Sequence, residues 1–385
     1  MSLFFNLIST TYGWSLLLLG AATLTLIASS AGKYFKKAPR SLRLPVKRRD
    51  PAVSGENLED AYYNIEPLND FDVDAEEPIK ARPFKPKFHM TMAIKNTTLS
   101  DLVAMDKTYH SRIQIRRKLL TTEHHEVLDA NPKAFPAVFE LYKWLSQTYL
   151  PRRFPTMFTS TPTGLLNKTT NETLPLIPSS AADALELMGS HIDDEFFFLL
   201  PSGQPEDEGK YRLEAFITCF PSGFNTRSKL GLLLADIHTP VPHYKQKLKR
   251  SMDKFFASLP VGKIVKRWNW TISTSGELFC VKGNHTTEEE LEEQGKEEID
   301  LKTTFLRCER QTLHRLPESR AVVFAFKTYQ YPIRELRDEG SGEALVEAID
   351  GMGTGSAPEM TVYKRQVVWG EKIKAFLRGE IEDDQ

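Results

Sequence analysis

Residues 305–333, FLRCERQTLHRLPESRAVVFAFKTYQYPI, join a crowded polar segment to an apolar one. Residues 321–326 form an unbroken apolar run, rich in β-branched and aromatic side chains, which predicts a buried strand. A helix through the polar segment would place Arg307, Arg310 and His314 on one side. That side would be an exposed basic surface or part of a buried polar network. The chain must therefore contain a sheet whose neighbouring segment reaches solvent or satisfies its charges internally.

Three further segments have the same strand-like composition, at residues 195–200, 212–220 and 264–272. Apolar residues recur at helical spacing in residues 138–149 and 248–259. Helices that are grouped apart from several antiparallel strands predict an α+β fold and not a doubly wound sheet.

The composition excludes several classes of function. The 385 residues are 41% hydrophobic and 26% charged, as in a globular protein with a sizeable core. The formal net charge of −1 argues against nucleic acid as the main partner, because phosphate binding needs a basic surplus. Cys219, Cys280 and Cys308 are far apart, so the sequence predicts neither a disulfide framework nor a zinc site. No nucleotide-binding glycine motif, G-x-S-x-G or H-E-x-x-H is present.

The amino-terminal residues 1–32 contain no charged side chain and have the length of a membrane-spanning helix. Basic residues follow this segment, as in an uncleaved anchor, and do not precede it, as in a secretory signal. We therefore predict a single-pass transmembrane anchor in the endoplasmic reticulum, with the remaining chain facing the cytoplasm. The opposite orientation is favoured by five glycosylation-type triplets, at Asn96, Asn167, Asn171, Asn269 and Asn284.

The composition also divides the rest of the chain. Residues 33–80 are first basic and then acidic, with several prolines, which predicts a flexible linker. Residues 81–345 form the predicted folded domain. The acidic segment 283–300 within it is interpreted as a solvated insertion or a short acidic helix. Residues 346–385 form a C-terminal extension.

The segment GLLLADIHTPVPHY, residues 231–244, contains a histidine next to stiff backbone. His238 precedes Pro240 and Pro242, which restrict φ and favour an extended chain. A neutral imidazole held in this way is suited to bind iron or zinc. The same imidazole could instead hydrogen bond a neighbouring carbonyl and shape the turn. The residues alone leave both interpretations open.

Two more groups of residues are candidates for binding. Strand alternation in RWNWTI predicts Trp268 and Trp270 on one face and Arg267 and Asn269 on the other. The tryptophans would pack in the core or line a flat cofactor pocket, in which Arg267 would reach an anionic group. Glu309, if buried, would pair with an arginine or a cationic substrate, because a lone buried carboxylate is costly.

Four segments in this order resemble a known family: residues 150–158, 220–244, 267–272 and 306–333. The combination of IH-x-PVP with ERQTL-x-RLP carries most of the specificity, and the opening from Arg82 to Arg112 is also similar. The resemblance is to the α-subunit-like family of haem-dependent oxidative N-demethylases, as a fungal-type, membrane-anchored member. It covers about residues 80–340.

The resemblance implies a PAS-like antiparallel sheet core with surrounding helices, preceded here by one N-terminal transmembrane helix. It implies that the core binds haem b and oxidises a small amine with O₂. Electrons would come from NADPH through flavin and iron–sulfur groups on a separate reductase. Fold alone does not determine function, so two alternatives stay open: a haem or small-molecule sensor without turnover, and a non-enzymatic membrane-tethered protein.

The resemblance also assigns roles to individual residues. His238 would be the axial iron ligand, and Glu309 would hold the ammonium form of the amine or manage protons. The remaining candidates would bind the haem propionates, order Glu309 or line the cofactor pocket; they are Arg267, Trp270, Arg307 and Arg310.

Overall fold

A seven-stranded antiparallel sheet lies at the centre of the described residues, 58–294 and 298–382, of this computed structural model. The strands in chain order are β1 (Lys95–Thr97), β2 (Leu128–Ala130), β3 (Phe158–Thr161), β4 (Gly164–Asn167), β5 (Glu172–Pro175), β6 (Glu195–Pro201), β7 (Tyr211–Ile217), β8 (Ile264–Ser273), β9 (Phe305–Arg315) and β10 (Val322–Pro332). The large sheet has the order β1-β8-β9-β10-β6-β7-β2, and β3, β4 and β5 form a separate three-stranded sheet.

Helices cover both faces of the large sheet. In chain order they are α1 (Tyr109–Thr122), α2 (His124–Val127), α3 (Phe135–Trp144), α4 (Leu150–Arg153), α5 (Ala181–His191), α6 (Leu234–Ile237), α7 (Tyr244–Lys247), α8 (Lys249–Ser258), α9 (Glu288–Gln294), α10 (Ile333–Asp338), α11 (Gly342–Gly353), α12 (Met360–Tyr363) and α13 (Gln366–Leu377). Most of them are shorter than three turns, so their stability comes from the apolar sides that they bury against the sheet.

The polar segment that opens residues 305–333 is a strand, and its interpretation as a helix is wrong. β9 pairs with β10 over its whole length, from Phe305 opposite Pro332 to Arg315 opposite Val322. Side chains alternate between the faces of a strand, so Arg307 and His314 point to opposite sides of the sheet. The long pairing with β10 overrides the local helical spacing of the charged residues.

The two faces of the large sheet bury different clusters. One face carries a cluster that includes Phe196, Phe198 and Val323 under α1, α3 and α5, and a second cluster that includes Leu306 and Cys308 under α10, α11 and α13. The opposite face carries a third cluster, made by Leu199, Val265, Leu313 and Phe324 together with Phe256 of α8. The third cluster is the smallest of the three, and the candidate site lies beside it.

The α+β class and the antiparallel sheet are present, but the predicted fold needs one correction. No helix among the described residues is long and apolar enough to cross a membrane. The longest of them, α1, has 14 residues and contains Arg112, Arg116 and Arg117, whereas a bilayer requires about 20 apolar residues. The transmembrane helix is therefore not an element of the described fold. The segment for which it was predicted, residues 1–32, lies outside the described residues.

Part of the predicted flexible linker is folded, and the acidic segment contains buried residues as well as the short acidic helix α9. Tyr62, Ile65 and Val73, within the predicted linker, are buried in the first cluster. Asn284 and Thr286, at the start of the acidic segment, are also buried. Ordered structure therefore begins before residue 81 and includes the first residues of the acidic segment.

A buried ion pair joins α1 to the sheet. Arg116 is completely buried, and its guanidinium donates to both carboxylate oxygens of Glu195, at 2.5 and 3.2 Å, and to the carbonyls of Gly189 and Asp194. Glu195 also accepts the backbone N–H groups of Cys219 and Phe220. Burial raises the pKa of Glu195, and the charge of Arg116 opposes this shift. Both the guanidinium and the carboxylate therefore have additional hydrogen bonds, which a buried ion pair needs to offset its desolvation.

Replacing Arg116 tests this pair. Arg116→Met leaves the Glu195 carboxylate without its cation in the core, and we expect the free energy of unfolding to fall by about 3–5 kcal/mol. The matched control is Arg117→Met on the same helix, whose partner Glu172 is half exposed; there the loss should stay below about 1 kcal/mol. Urea unfolding measures both variants. Equal losses would show that burial of the Arg116 pair has no special weight.

Two histidines are buried in the core and are neutral in the folded protein. The Tyr62 hydroxyl donates to the carbonyl of Arg315 at 2.6 Å, so Nδ1 of His314, 2.7 Å away, donates to that hydroxyl. Burial lowers the pKa of His314 to about 3. Burial, together with the charge of Arg117, lowers the pKa of His191 to about 4.

These histidines should make the protein less stable in acid. An unfolded histidine binds a proton near pH 6.5, whereas the folded His314 and His191 do not until about pH 3–4. Between these values the unfolded state carries more protons, so the free energy of unfolding falls as the pH drops from about 7 to about 5. His314→Asn should reduce this slope by up to about 1.4 kcal/mol per pH unit. The exposed control His125→Asn should leave it unchanged in urea titrations at several pH values.

Candidate functional site

A cavity of about 390 Å³ borders the sheet face that carries the third cluster. Residues of five strands, β6 to β10, line it, together with residues of α8 and of the segment 83–94. Aromatic and aliphatic side chains dominate the lining, which includes Phe197, Leu199, Leu248, Met252, Phe256, Phe324 and Phe326. Its volume lies within the range of small-molecule sites, which are largely apolar with a few placed polar groups.

His238 borders this cavity, directly after α6. Its Nδ1 lies 2.7 Å from the carbonyl of Leu234. A carbonyl can only accept, so Nδ1 carries the proton and Nε2 keeps its lone pair. The ring stacks on Tyr244, with 4.7 Å between the centroids and 12° between the planes. Burial lowers the pKa of His238 to about 4. The two interpretations of this histidine are therefore compatible, since the turn uses one nitrogen and leaves the other free.

The prolines after His238 lie in turns and do not extend the chain. The N–H of Val241 donates to the carbonyl of His238 at 3.0 Å, and the N–H of Thr239 donates to Asp236 at 3.1 Å. Two consecutive turns thus bring the chain back to α7, which places Tyr244 over the His238 ring.

A second histidine borders the same cavity and was not predicted. Nδ1 of His285 lies 3.4 Å from the carbonyl of Gly223, and its ring stacks on Tyr363 with 4.5 Å between the centroids. Burial lowers the pKa of His285 to about 4, and the charge of Lys364 acts in the same direction. Gly223 and Tyr363 are distant from His285 in the sequence, and the acidic segment that contains His285 is interpreted from the sequence as a solvated insertion or a short acidic helix. No local sequence pattern therefore predicted this histidine.

Glu309 lies on the cavity face of β9 and is 6% exposed. Nε2 of Gln311 donates to its Oε2 at 2.8 Å, and Nδ2 of Asn269 donates to the same oxygen at 3.4 Å. Within the described part of the chain it forms no ion pair, and its Oε1 has no hydrogen-bond donor. A buried carboxylate with one unoccupied oxygen can accept a hydrogen bond from a cationic ligand.

Positive side chains border the cavity on the same side. Nε of Arg267 is buried and has no hydrogen-bond partner among residues 58–294 and 298–382. Burial lowers the pKa of Arg267, and the charge of Glu309 opposes this. Nζ of Lys364 donates to the carbonyl of Trp270. Burial, and then the charge of Arg267, lowers the pKa of Lys364 to about 8. An orphaned buried guanidinium nitrogen indicates room for an anionic group.

Two predicted arginines do not border the cavity. The guanidinium of Arg307 donates to the carbonyls of Phe220 and Pro221, at 2.8 and 3.1 Å. Arg310 lies on the opposite face of the sheet, where it donates to the carbonyl of Leu102 at 3.0 Å and pairs with Asp101 at 2.8 Å. Both therefore hold neighbouring segments against β9.

The tryptophans of β8 lie at the border between the cavity and the second cluster. The ring of Trp270 meets Phe84 edge to face, with 5.9 Å between the centroids, and Trp268 packs at 5.9 Å from Tyr329. Both indoles therefore pack against the second cluster, on the sheet face opposite the third cluster. The side chains that reach the cavity floor from β8 include that of Arg267.

Across the described ranges, no three His, Cys, Asp or Glu side chains come together as a ligand set for a metal ion. A haem iron does not require such a set, because it is held in proteins by axial ligands such as one histidine. His238 and the uncommitted nitrogen of Arg267 fit a haem with its propionates better than a bare ion.

The comparison with known families agrees with this geometry. The family described as haem-dependent oxidative N-demethylase, alpha subunit-like, matches residues 93–374. The match spans nearly three quarters of the chain and includes His238, His285 and Glu309. The chain therefore belongs to the haem-dependent oxidative N-demethylase, alpha subunit-like family.

Proposed function

We propose that this protein binds haem b in the cavity beneath α8 and carries out oxidative N-demethylation of a small amine. The observation that carries the proposal is His238, a neutral imidazole that borders the cavity with Nδ1 committed to a backbone carbonyl. Metal-ligating histidines commonly donate their other ring N–H to such a carbonyl, which determines the tautomer and the ring orientation.

The cavity lining fits the two ends of a haem. The phenylalanines of β6 and β10 supply apolar walls for the porphyrin. Arg267 supplies a buried guanidinium nitrogen that lacks an acceptor, and Lys364 lies beside it. Leaving a buried donor without a partner costs about 1–3 kcal/mol. A propionate bound to Arg267 would remove this cost.

Glu309 is the candidate for the amine site. Its Oε1 would accept a hydrogen bond from the ammonium form of the substrate, while Gln311 holds Oε2. Transfer of one ammonium proton to Oε1 would then leave a neutral amine with a free nitrogen lone pair. Charge attraction is stronger in a cavity of low dielectric than in water, so this carboxylate would select protonated amines.

Haem, when bound, would supply the activation of O₂. The balanced reaction consumes the N-methyl amine, O₂, two electrons and two protons, and it yields the demethylated amine, formaldehyde and water. We propose that the electrons come from NADPH through a separate flavin and iron–sulfur reductase.

A second candidate function is a haem sensor without turnover. His285 favours it, because a cavity bordered by two neutral imidazoles offers a second possible iron ligand. If both imidazoles bind the iron, no position remains for O₂. The two candidates share the cavity and differ in the use of His285 and Glu309.

The ligand assignment is tested by His238→Ala. We expect the purified protein to show a Soret band and the variant to lose most of it, with partial recovery on adding imidazole, which replaces the missing ring. His243→Ala is the control, because His243 pairs with Glu359 outside the cavity lining. A wild-type protein that binds no haem would end the proposal. A band that survives in His238→Ala and is lost in His285→Ala would move the ligand to His285.

The role of Glu309 is tested by Glu309→Gln, which keeps the shape and removes the charge. We expect the Soret band to remain, and kcat/KM for the amine to fall by about 10²–10⁴, as for loss of a proton-transfer group. Oxygen consumption and aldehyde release measure the effect, with the exposed Glu343→Gln as control. Unchanged turnover of the variant would exclude Glu309 from the reaction, and no turnover in the wild type would favour the sensor.

A further inference from the structure

Several exposed side chains of the segments around the cavity are positively charged. Met252 and Phe256 of α8 border the cavity, as does Leu248 immediately before this helix. The exposed cations of these segments define a basic rim, made by Lys85, Lys87, Lys245, Arg250 and Lys254. Lys85 and Lys87 also border the cavity, whereas the other three do not.

The charge of the basic rim is not neutralised locally. None of its five residues forms an ion pair with the part of the chain that the structure describes. Nearby acidic groups are already engaged, since Asp253 pairs with Lys249 at 2.9 Å and Glu359 pairs with His243 at 2.8 Å. Asp236 is exposed at the edge. The rim therefore keeps an excess of positive charge, although the whole chain has a formal net charge of −1.

The two parts of the rim belong to one surface. Nζ of Lys247, in α7, donates to the carbonyl of Ser356. The N–H of Ser356 donates to the carbonyl of Phe88 at 2.9 Å, and its hydroxyl accepts the N–H of Met90 at 2.8 Å. Residues 83–94 and the α7–α8 segment are thus joined through Ser356 at the outer side of the cavity.

We propose that the basic rim is the docking surface for an acidic one-electron carrier protein that delivers electrons to the cavity. This rests on the proposed function, whose reaction needs two electrons from outside the chain, so the carrier is oxidised by one electron in each of two encounters. A carrier bound over the α8 part of the rim would be separated from the cavity by one helix, about 10 Å thick. Complementary charge steers such encounters and raises their rate.

The rim fits a protein better than a lipid surface or a nucleic acid. A helix that binds a membrane surface inserts its apolar face into the lipid, but the apolar side of α8 is used by the third cluster and the cavity. A nucleic acid requires a basic surplus across a whole binding face, whereas this rim is a border of five residues.

The test uses the full chain and an acidic plant-type ferredoxin as the probe. The variant K245E/R250E/K254E replaces three positive charges of the rim with three negative ones. The matched control K118E/K143E/K302E makes the same change at exposed lysines of α1, α3 and a turn away from the cavity. We expect the rim variant to bind ferredoxin about tenfold or more weakly at low ionic strength, the control to stay near wild type, and wild-type affinity to fall with added salt.

Two outcomes would overturn the docking proposal. One is an equal affinity loss in the rim variant and the control, or no binding by the wild type. The other is a stronger rim-dependent affinity for phosphatidylserine vesicles or duplex DNA than for ferredoxin. The Soret band of the same samples separates the two proposals. If the protein binds no haem, the proposed function is wrong, but the ferredoxin titration still tests docking. If the protein binds haem and its ferredoxin affinity is the same in the rim variant, only the docking proposal is wrong.

Discussion

The structure depends on how β9 satisfies its charged side chains. β9 is a central strand between β8 and β10, and nearly all its residues are buried. Arg307, Arg310 and Arg315 each direct a guanidinium at backbone carbonyls of neighbouring segments, such as those of Phe220, Leu102 and Leu259. Burying a guanidinium is costly unless its donors are engaged, and of the buried donors on these three arginines only Nε of Arg307 lacks a partner in the part of the chain that the structure describes. These contacts hold the surrounding loops against both faces of the sheet. The charged side chains of β9 therefore stabilise the fold.

Glu309 differs from these arginines because one of its charged oxygens has no hydrogen-bond partner among the described residues. It is buried on the cavity face, and it has hydrogen bonds from Gln311 and Asn269 but no ion pair within the described residues. On the neighbouring strand β8, Arg267 has a buried Nε that lacks an acceptor among the described residues. Other buried polar atoms of the described residues also lack a partner, such as Asp193 Oδ1 and His314 Nε2, but Glu309 and Arg267 both border the cavity. The cavity therefore combines a carboxylate for a cationic ligand with a guanidinium for an anionic one, which is the pairing that an amine substrate and a haem would use.

The sequence predicted the strands whose composition is aromatic and β-branched, because such residues fit a half-buried pleated surface. It failed at β9, since a strand that buries charged residues on both faces has no apolar alternation and its charges recur at helical spacing. The prolines beside His238 led to its prediction as a candidate ligand, although these prolines form turns and not an extended chain. The sequence missed His285, which is recognisable as part of the cavity only through Gly223 and Tyr363, both far away in the sequence.

The sequence by itself determined the α+β class, the family, and the residue types available for binding, since these follow from composition, periodicity and motif order. Only the tertiary structure decided which charged residues hold the fold and which remain for a ligand. That choice depends on whether a backbone carbonyl from another segment reaches each guanidinium, and strand pairing determines this over long sequence distances. Terminal nitrogens of Arg307 and Arg310 donate to such carbonyls, whereas the guanidinium of Arg267 has no hydrogen bond within the described residues.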